Sequence, residues 1–135
     1  MHKTIEVAPS DVPTIAPGEK LVMLVDDDPI FRRITSGFLL SQGYKVVEAE
    51  NGLDGLRKLR SAEPDIIMCD LAMPVLDGIE FVEEVSLEYP SLPLIVVSAT
   101  DDMSDVAKAL RYGIKDFLPK PIGNMNILSV RLKIR

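Results

Sequence analysis

Asp26, Asp27 and Asp28, then Asp70, Ser98 and Lys120, stand at the ends of short apolar runs spread over a 135-residue chain. Carboxylates pressed together repel one another and raise each other's pKa unless a cation joins them. An all-oxygen donor set suits a hard divalent ion, Mg²⁺ above all, which keeps several waters in its octahedral shell. Such an ion and the Lys120 ammonium could neutralise an incoming phosphoryl group while Ser98 donates one hydrogen bond. One carboxylate is then free to attack as the nucleophile, giving an aspartyl phosphate. A plainer reading is that Asp is common in loops and caps helices. That accounts for Asp77 and Asp28, but not for several carboxylates at the ends of successive apolar runs.

Other chemistries lack their residues. Gly52, Gly55 and Gly78 do not form a Walker or Rossmann fingerprint. One cysteine, Cys69, and one histidine, His2, exclude an internal disulfide and a His/Cys zinc set. With one histidine at the extreme N-terminus there is no Ser-His-Asp arrangement either. Cys69 itself reads as an inert small hydrophobe of a buried strand. The formal charge of −6 argues against direct nucleic-acid binding, which needs cationic surface to displace counterions. No apolar run is long enough to span a membrane. Residues 1–19 carry Pro9, Pro13 and Pro17, lack the apolar stretch of a secretory signal, and read as a disordered tail. A cytoplasmic protein with one domain over residues 20–135 is expected.

The elements that must position these groups alternate. Leu21–Val25, Tyr44–Glu48, Asp65–Cys69, Leu94–Val97 and residues 115–118 read as five strands. Unbroken apolar runs suit strands covered on both faces, as in parallel sheets. Between them lie helices, the first over residues 30–42 with Pro29 near its first turn and Gly43 at its end. Ile30, Ile34 and Phe38 give that helix one apolar face. Asn51 caps a second, carrying Leu53, Leu56 and Leu59. Asp77 caps a third with a buried stripe of Gly78, Phe81, Val82 and Val85. Met103, Val106, Ala107 and Leu110 follow helical spacing in a fourth. Asp101, Asp102 and Asp105 suit its N-terminus. A fifth runs from about Asn124 to Arg135, with Arg131, Lys133 and Arg135 as a solvated end. Met103 and Met125 read as core or interface filler. Strands joined through helices imply right-handed crossovers, a parallel sheet and helices on both faces. Pro119 cannot donate to a ladder, so the fifth strand belongs at an edge. Ligands of such sheets sit beyond the carboxyl ends of the strands, where the candidate residues stand.

Leu24-Val25-Asp26-Asp27-Asp28-Pro29, Cys69-Asp70-Leu71-Ala72-Met73-Pro74 with Asp77-Gly78, Val97-Ser98-Ala99 and Lys120-Pro121 resemble the receiver domain of two-component response regulators. The spacings agree: 44 residues from Asp26 to Asp70, 28 to Ser98 and 22 to Lys120. The resemblance covers residues 20–135 and implies a flavodoxin-like, doubly wound α/β sandwich with strand order 2-1-3-4-5. It implies Asp70 as phosphoacceptor and Asp26, Asp27, Asp70 and the Ala72 carbonyl as the Mg²⁺ site. Lys120 pairs with the phosphoryl group, the Lys120–Pro121 bond is cis, and Ser98 and Phe117 match the switch positions. In that switch a new dianion recruits Ser98, Phe117 turns into the vacated space, and the face of helix four, strand five and helix five changes. The implied partners are a sensor histidine kinase or a small phosphodonor, and an output domain beyond Arg135 or a protein partner.

Cys69–Pro74 and Ser98–Arg111 are similar to the RssB-type adaptors, which deliver a sigma factor to the ClpXP protease. The last helix lacks the Glu and Arg that OmpR-like regulators carry, which speaks against a dimer of their kind. Asp26-x-Asp28 leaves open a haloacid-dehalogenase-like phosphohydrolase with Asp26 as nucleophile. Against it, Ile30 stands where that family has Thr or Val, and no substantial cap insertion is present. A degenerate receiver used only as a scaffold is disfavoured by the complete set of acidic pair, acceptor, hydroxyl and lysine.

Ala72 and Thr100 occupy the positions two beyond the acceptor and the hydroxyl, where the family often holds groups that orient or hinder water. Ala72 can orient nothing, so the phosphorylated chain should lose its phosphoryl group slowly and Ala72→Asn should lose it faster. Following decay of the two adducts side by side checks this, and equal rates would remove the argument.

Overall fold

Leu21-Val22-Met23-Leu24-Val25 is apolar at every position because both of its faces are covered. In a computed structural model describing residues 12–133, Leu21, Met23 and Val25 join one apolar cluster while Val22 and Leu24 join the other. The elements run β1 (Leu21–Val25), α1 (Pro29–Ser41), β2 (Lys45–Ala49), α2 (Gly52–Ala62), β3 (Ile66–Cys69), α3 (Gly78–Glu88), β4 (Leu94–Ser98), α4 (Met103–Arg111), β5 (Asp116–Pro119) and α5 (Asn126–Arg131). Residues 1–11, 134 and 135 lie outside the described residues, and with them His2, Arg135 and most of the expected tail. Residues 12–20 hold neither helix nor strand, and Val12 packs against the core.

All four strand pairings are parallel, in the order β2-β1-β3-β4-β5. The fold is therefore the expected flavodoxin-like sandwich, with the Pro119-bearing strand at an edge and the more polar β2 at the other. Period-two alternation sends Ile67, Cys69, Leu94 and Val96 to the cluster under α2, α3 and α4. Ile66, Met68, Ile95 and Val97 go to the cluster under α1 and α5. The chain leaves β1 towards β2 but leaves β3 towards β4. The carboxyl ends of β1 and β3 thus flank the crevice where the winding reverses.

Caps fix the helices. Asp28 accepts from the Ile30 and Phe31 amides, Asn51 from Asp54, and Asp77 from Glu80. The α3 stripe of Gly78, Phe81, Val82 and Val85 is buried as the spacing indicates. Two other helices turn differently. On α1, Ile30 and Ile34 are 69% and 59% exposed, whereas Thr35, Ser36 and Leu39 are buried with Phe31 and Phe38 half-buried beside them. The Asp28 cap sets the phase of α1, and that phase puts two hydroxyls against the sheet. On α4, Met103 and Leu110 are 73% and 57% exposed, and only Ala109 is fully buried. The contact of α4 runs through small Ala109, with Tyr112 packed beside it, so Met103, Ala107 and Leu110 of the expected stripe face outward. Leu53 on α2 is likewise exposed, and only Leu59 of its leucines is fully buried.

Gly78 makes the tightest contact in the sandwich. A Cβ built there would lie 2.2 Å from both the Asp70 carbonyl oxygen and the Leu71 Cα. The Gly78 amide donates to the Leu71 carbonyl at 2.9 Å, so α3 starts directly on the backbone after β3. Both obstacles are main chain and cannot rotate aside. Gly78→Ala should cost about 3 kcal/mol in stability, the upper range for overpacking, read from chemical denaturation.

Candidate functional site

The ladder delivers each candidate side chain to the crevice. The Asp26 amide donates to the Ala49 carbonyl at 3.1 Å, holding the residue just beyond β1. The Asp70 amide donates to the Val25 carbonyl at 3.0 Å, and the Lys120 amide to the Ser98 carbonyl at 2.9 Å. Three strand ends thereby converge.

Their side chains meet. Lys120 Nζ donates to Asp26 Oδ2 at 2.7 Å and to Asp70 Oδ2 at 3.1 Å. Ser98 Oγ donates to Asp70 Oδ1 at 2.7 Å, and the Ala72 amide donates to the same oxygen at 3.1 Å. Carboxylate oxygens of Asp26, Asp27 and Asp70 lie within 4.8 Å of one another. Asp26, Asp70 and Ser98 are buried, while Asp27 and Ala72 open to solvent. Asp28 is spent on capping α1 and stays outside the cluster. The Lys120–Pro121 bond is cis. The hydroxyl of Ser98 is already bonded to Asp70 in the unphosphorylated chain, and Phe117 is half-buried against the α2–α3–α4 core.

The loop between β3 and α3 is tense. Leu71 and Met73 point into the core, and Val75, 74% exposed, sits at φ +72°. A β-branched residue there stores about 1–3 kcal/mol of strain.

Charge balance follows from burial. Burial pushes the Asp26 carboxyl above its ordinary 3.8, and neighbouring Asp70 adds to it. The hydrogen bonds from Lys120 and from the Asp28 amide pull the other way without cancelling the rise. Burial also opposes the charged Lys120 amine, yet its bonds to Asp26 and Asp70 outweigh that and hold it above 10.5. Cys69, fully buried beside these carboxylates, has its thiol pushed well up and is no nucleophile. Three carboxylates against one amine leave a negative excess. Their hard oxygens fit a small divalent cation such as Mg²⁺.

Two neighbours escaped the reading of the sequence. Phe31 lays its ring 4.2 Å from Lys120 Nζ, a cation–π contact. Arg32 donates to the Asp26 carbonyl. Nothing in the spacing tells which of Arg32 and Arg33 turns inward; only the phase set by Asp28 decides. A groove of about 410 Å³ opens beside Lys120, lined by Phe31, Ile34, Ile122 and Met125. A larger cavity of about 480 Å³ lies around Pro64, Tyr89 and Pro93 at the opposite ends of the strands, away from all of these groups.

Comparison with known proteins agrees with this geometry. The family model described as the response regulator receiver domain matches residues 22–131. The Regulator of RpoS of Escherichia coli is 38% identical over 109 residues, covering 81% of this chain and 32% of that protein. The transcriptional regulatory protein GlrR of Escherichia coli is 37% identical over 101 residues, 75% of this chain and 23% of that protein. The crystal structure of the chemotaxis protein CheY4 of Vibrio cholerae superposes with a TM-score of 0.79 at 30% identity, covering 85% of this chain and 97% of that one. The chain spans about a third or less of the length of these curated relatives. It belongs to the response regulator receiver family. Among the described residues no helix is long and apolar enough to cross a membrane.

A carboxyl whose folded pKa is raised favours the protonated native state. That contribution is complete below the unfolded pKa and is lost as pH rises through the folded one. At neutral pH ionised Asp26 is therefore a net cost. Asp26→Asn keeps an oxygen for the Asp28 amide, removes this titration, and should therefore flatten the fall in metal-free stability as pH rises from acid to neutral. Mg²⁺ should raise the melting temperature of the wild type more than that of the variant. Thermal scans from acid to neutral pH, with and without Mg²⁺, check both.

Proposed function

We propose that this chain is a phosphorylation-operated switch in which Asp70 takes a phosphoryl group from a histidine kinase or a small phosphodonor such as acetyl phosphate. One observation carries the reading: Lys120 Nζ, brought from the edge strand, lies 3.1 Å from Asp70 Oδ2 and 2.7 Å from Asp26 Oδ2. An amine fixed there meets the negative oxygens of a phosphoryl group as it arrives.

A carboxylate oxygen of Asp70 attacks phosphorus, forming the acyl phosphate bond as the bond to the donor nitrogen or oxygen breaks. Asp26, Asp27, Asp70 and the Ala72 carbonyl would hold Mg²⁺, which supplies charge neutralisation at the phosphoryl oxygens. Lys120 neutralises a further oxygen and Ser98 donates to another. The chain thus catalyses its own phosphoryl uptake and slow loss, and turns over no external substrate. The apolar groove beside Lys120 suits the side chains of a donor helix.

The output runs through Ser98 and Phe117 to the face of α4, β5 and α5. That face carries the outward apolar residues Met103 and Leu110 of α4 and Val130 of α5. Similarity to the Regulator of RpoS supports a regulatory role of this kind. The RssB-type resemblance of Cys69–Pro74 and Ser98–Arg111 implies an adaptor in a cytoplasmic pathway with a sigma factor and the ClpXP protease as partners.

Peptide mapping after incubation with acetyl phosphate and Mg²⁺ tests the reading. A stable adduct on Asp70, absent from Asp70→Ala, is the expected result. Label on Asp26 would point instead to a phosphohydrolase, and no adduct at all would leave only a scaffold.

A further inference from the structure

Asp27 is the carboxylate of the cluster with the least to hold it. It is exposed, and no described side chain or amide hydrogen-bonds its carboxylate, whereas Asp26 and Asp70 are each fixed by several partners. Its direction therefore depends on the peptide plane that precedes it, the one carrying the Asp26 carbonyl. β1 ends at Val25. The first carbonyl beyond it is met by Arg32 instead of a strand.

Arg32 Nη1 donates to the Asp26 carbonyl at 2.5 Å, and Arg32 Nε donates to Glu48 Oε1 at 3.2 Å. The Arg32 side chain is mostly covered, 17% of it being exposed. Its planar fork lets one group grip a main-chain oxygen and a carboxylate at once, which lysine cannot reproduce. Glu48 lies in β2, and Lys58 of α2 donates to the Glu48 carbonyl at 2.7 Å while pairing with Asp54 at 3.2 Å. The Asp26–Asp27 peptide is thereby tied to the sheet edge and to α2.

We infer that Arg32 is a positioning residue for the divalent-cation site, acting through the Asp26 carbonyl to aim the Asp27 carboxylate. The inference rests on the reading that Asp26, Asp27 and Asp70 hold such a cation. It has a sign that separates it from simple electrostatics. A guanidinium near a metal site repels the incoming cation, so a purely Coulombic Arg32 would bind Mg²⁺ more tightly once removed. A positioning Arg32 would bind it less tightly.

Titrating Mg²⁺ alone into the 135-residue chain by calorimetry, with amide resonances of Asp27 and Asp28 followed in parallel, distinguishes these. Arg32→Met should weaken Mg²⁺ binding by about tenfold, the scale on which outer-sphere partners act. The Mg²⁺ concentration for half-maximal phosphoryl uptake should rise by the same factor, with the rate at saturating Mg²⁺ kept within about twofold if only binding is lost. Arg32→Lys should recover part of the affinity. Glu48→Gln, which leaves the arginine in place but loosens its anchor, should weaken binding in the same direction and serves if Arg32→Met fails to fold. Unchanged or tighter Mg²⁺ binding in folded variants overturns the inference while leaving the site reading intact. A wild-type chain that binds no Mg²⁺ overturns the site reading itself, and this inference with it.

Discussion

Like charges in a small, water-poor space are the constraint that organises this molecule. Asp26 and Asp70 are buried next to each other, with Asp27 at the rim. Each buried carboxylate needs a cation or a donor, and the fold supplies them from three strand ends and one helix. Lys120 bridges two carboxylates, Ser98 and the Ala72 amide serve the third oxygen, and Arg32 steadies the backbone. The result is stable enough to form but short of positive charge. That shortage makes the site receptive to a divalent cation, and it keeps the carboxylates from being ordinary surface groups.

The same crevice is crowded as well as charged. Gly78 lies against the main chain that carries Asp70, and the loop between them reaches Asp77 only by holding Val75 in a left-handed conformation. Shape and charge thus converge on one turn: the backbone that carries Asp70 is also where Gly78 leaves no room for a side chain. Regular packing elsewhere must sustain this strain, and β1, buried at every position and divided between the two apolar clusters, is part of it.

How much was legible in the sequence follows from the same physics. Strands buried on both faces read plainly, because nothing polar interrupts them, and the residue after each run announced itself as the site. Asp77 and Asn51 caps, the α3 stripe and the edge position of Pro119 were legible for the same local reasons. Helices α1 and α4 were legible as helices, but the faces they bury were not. Apolar spacing marks a stripe without saying whether the protein or a partner covers it, and on both helices the outward side carries large apolar residues. Thr35 and Ser36, hydroxyls in the interior of α1, gave no hydrophobic signal at all. Arg32 and Phe31 were missed because their roles depend on helix phase, which the Asp28 cap sets in three dimensions.

The bond from Ser98 to Asp70 has a thermodynamic corollary. A modification shifts a conformational equilibrium only by what it adds over the state already present. Here one contact that a phosphoryl group could have gained is made in advance. Ser98 is placed before any ligand arrives, and its hydroxyl would exchange one acceptor for another and not gain a first one. Only the difference between two hydrogen bonds would be left to drive a change of shape.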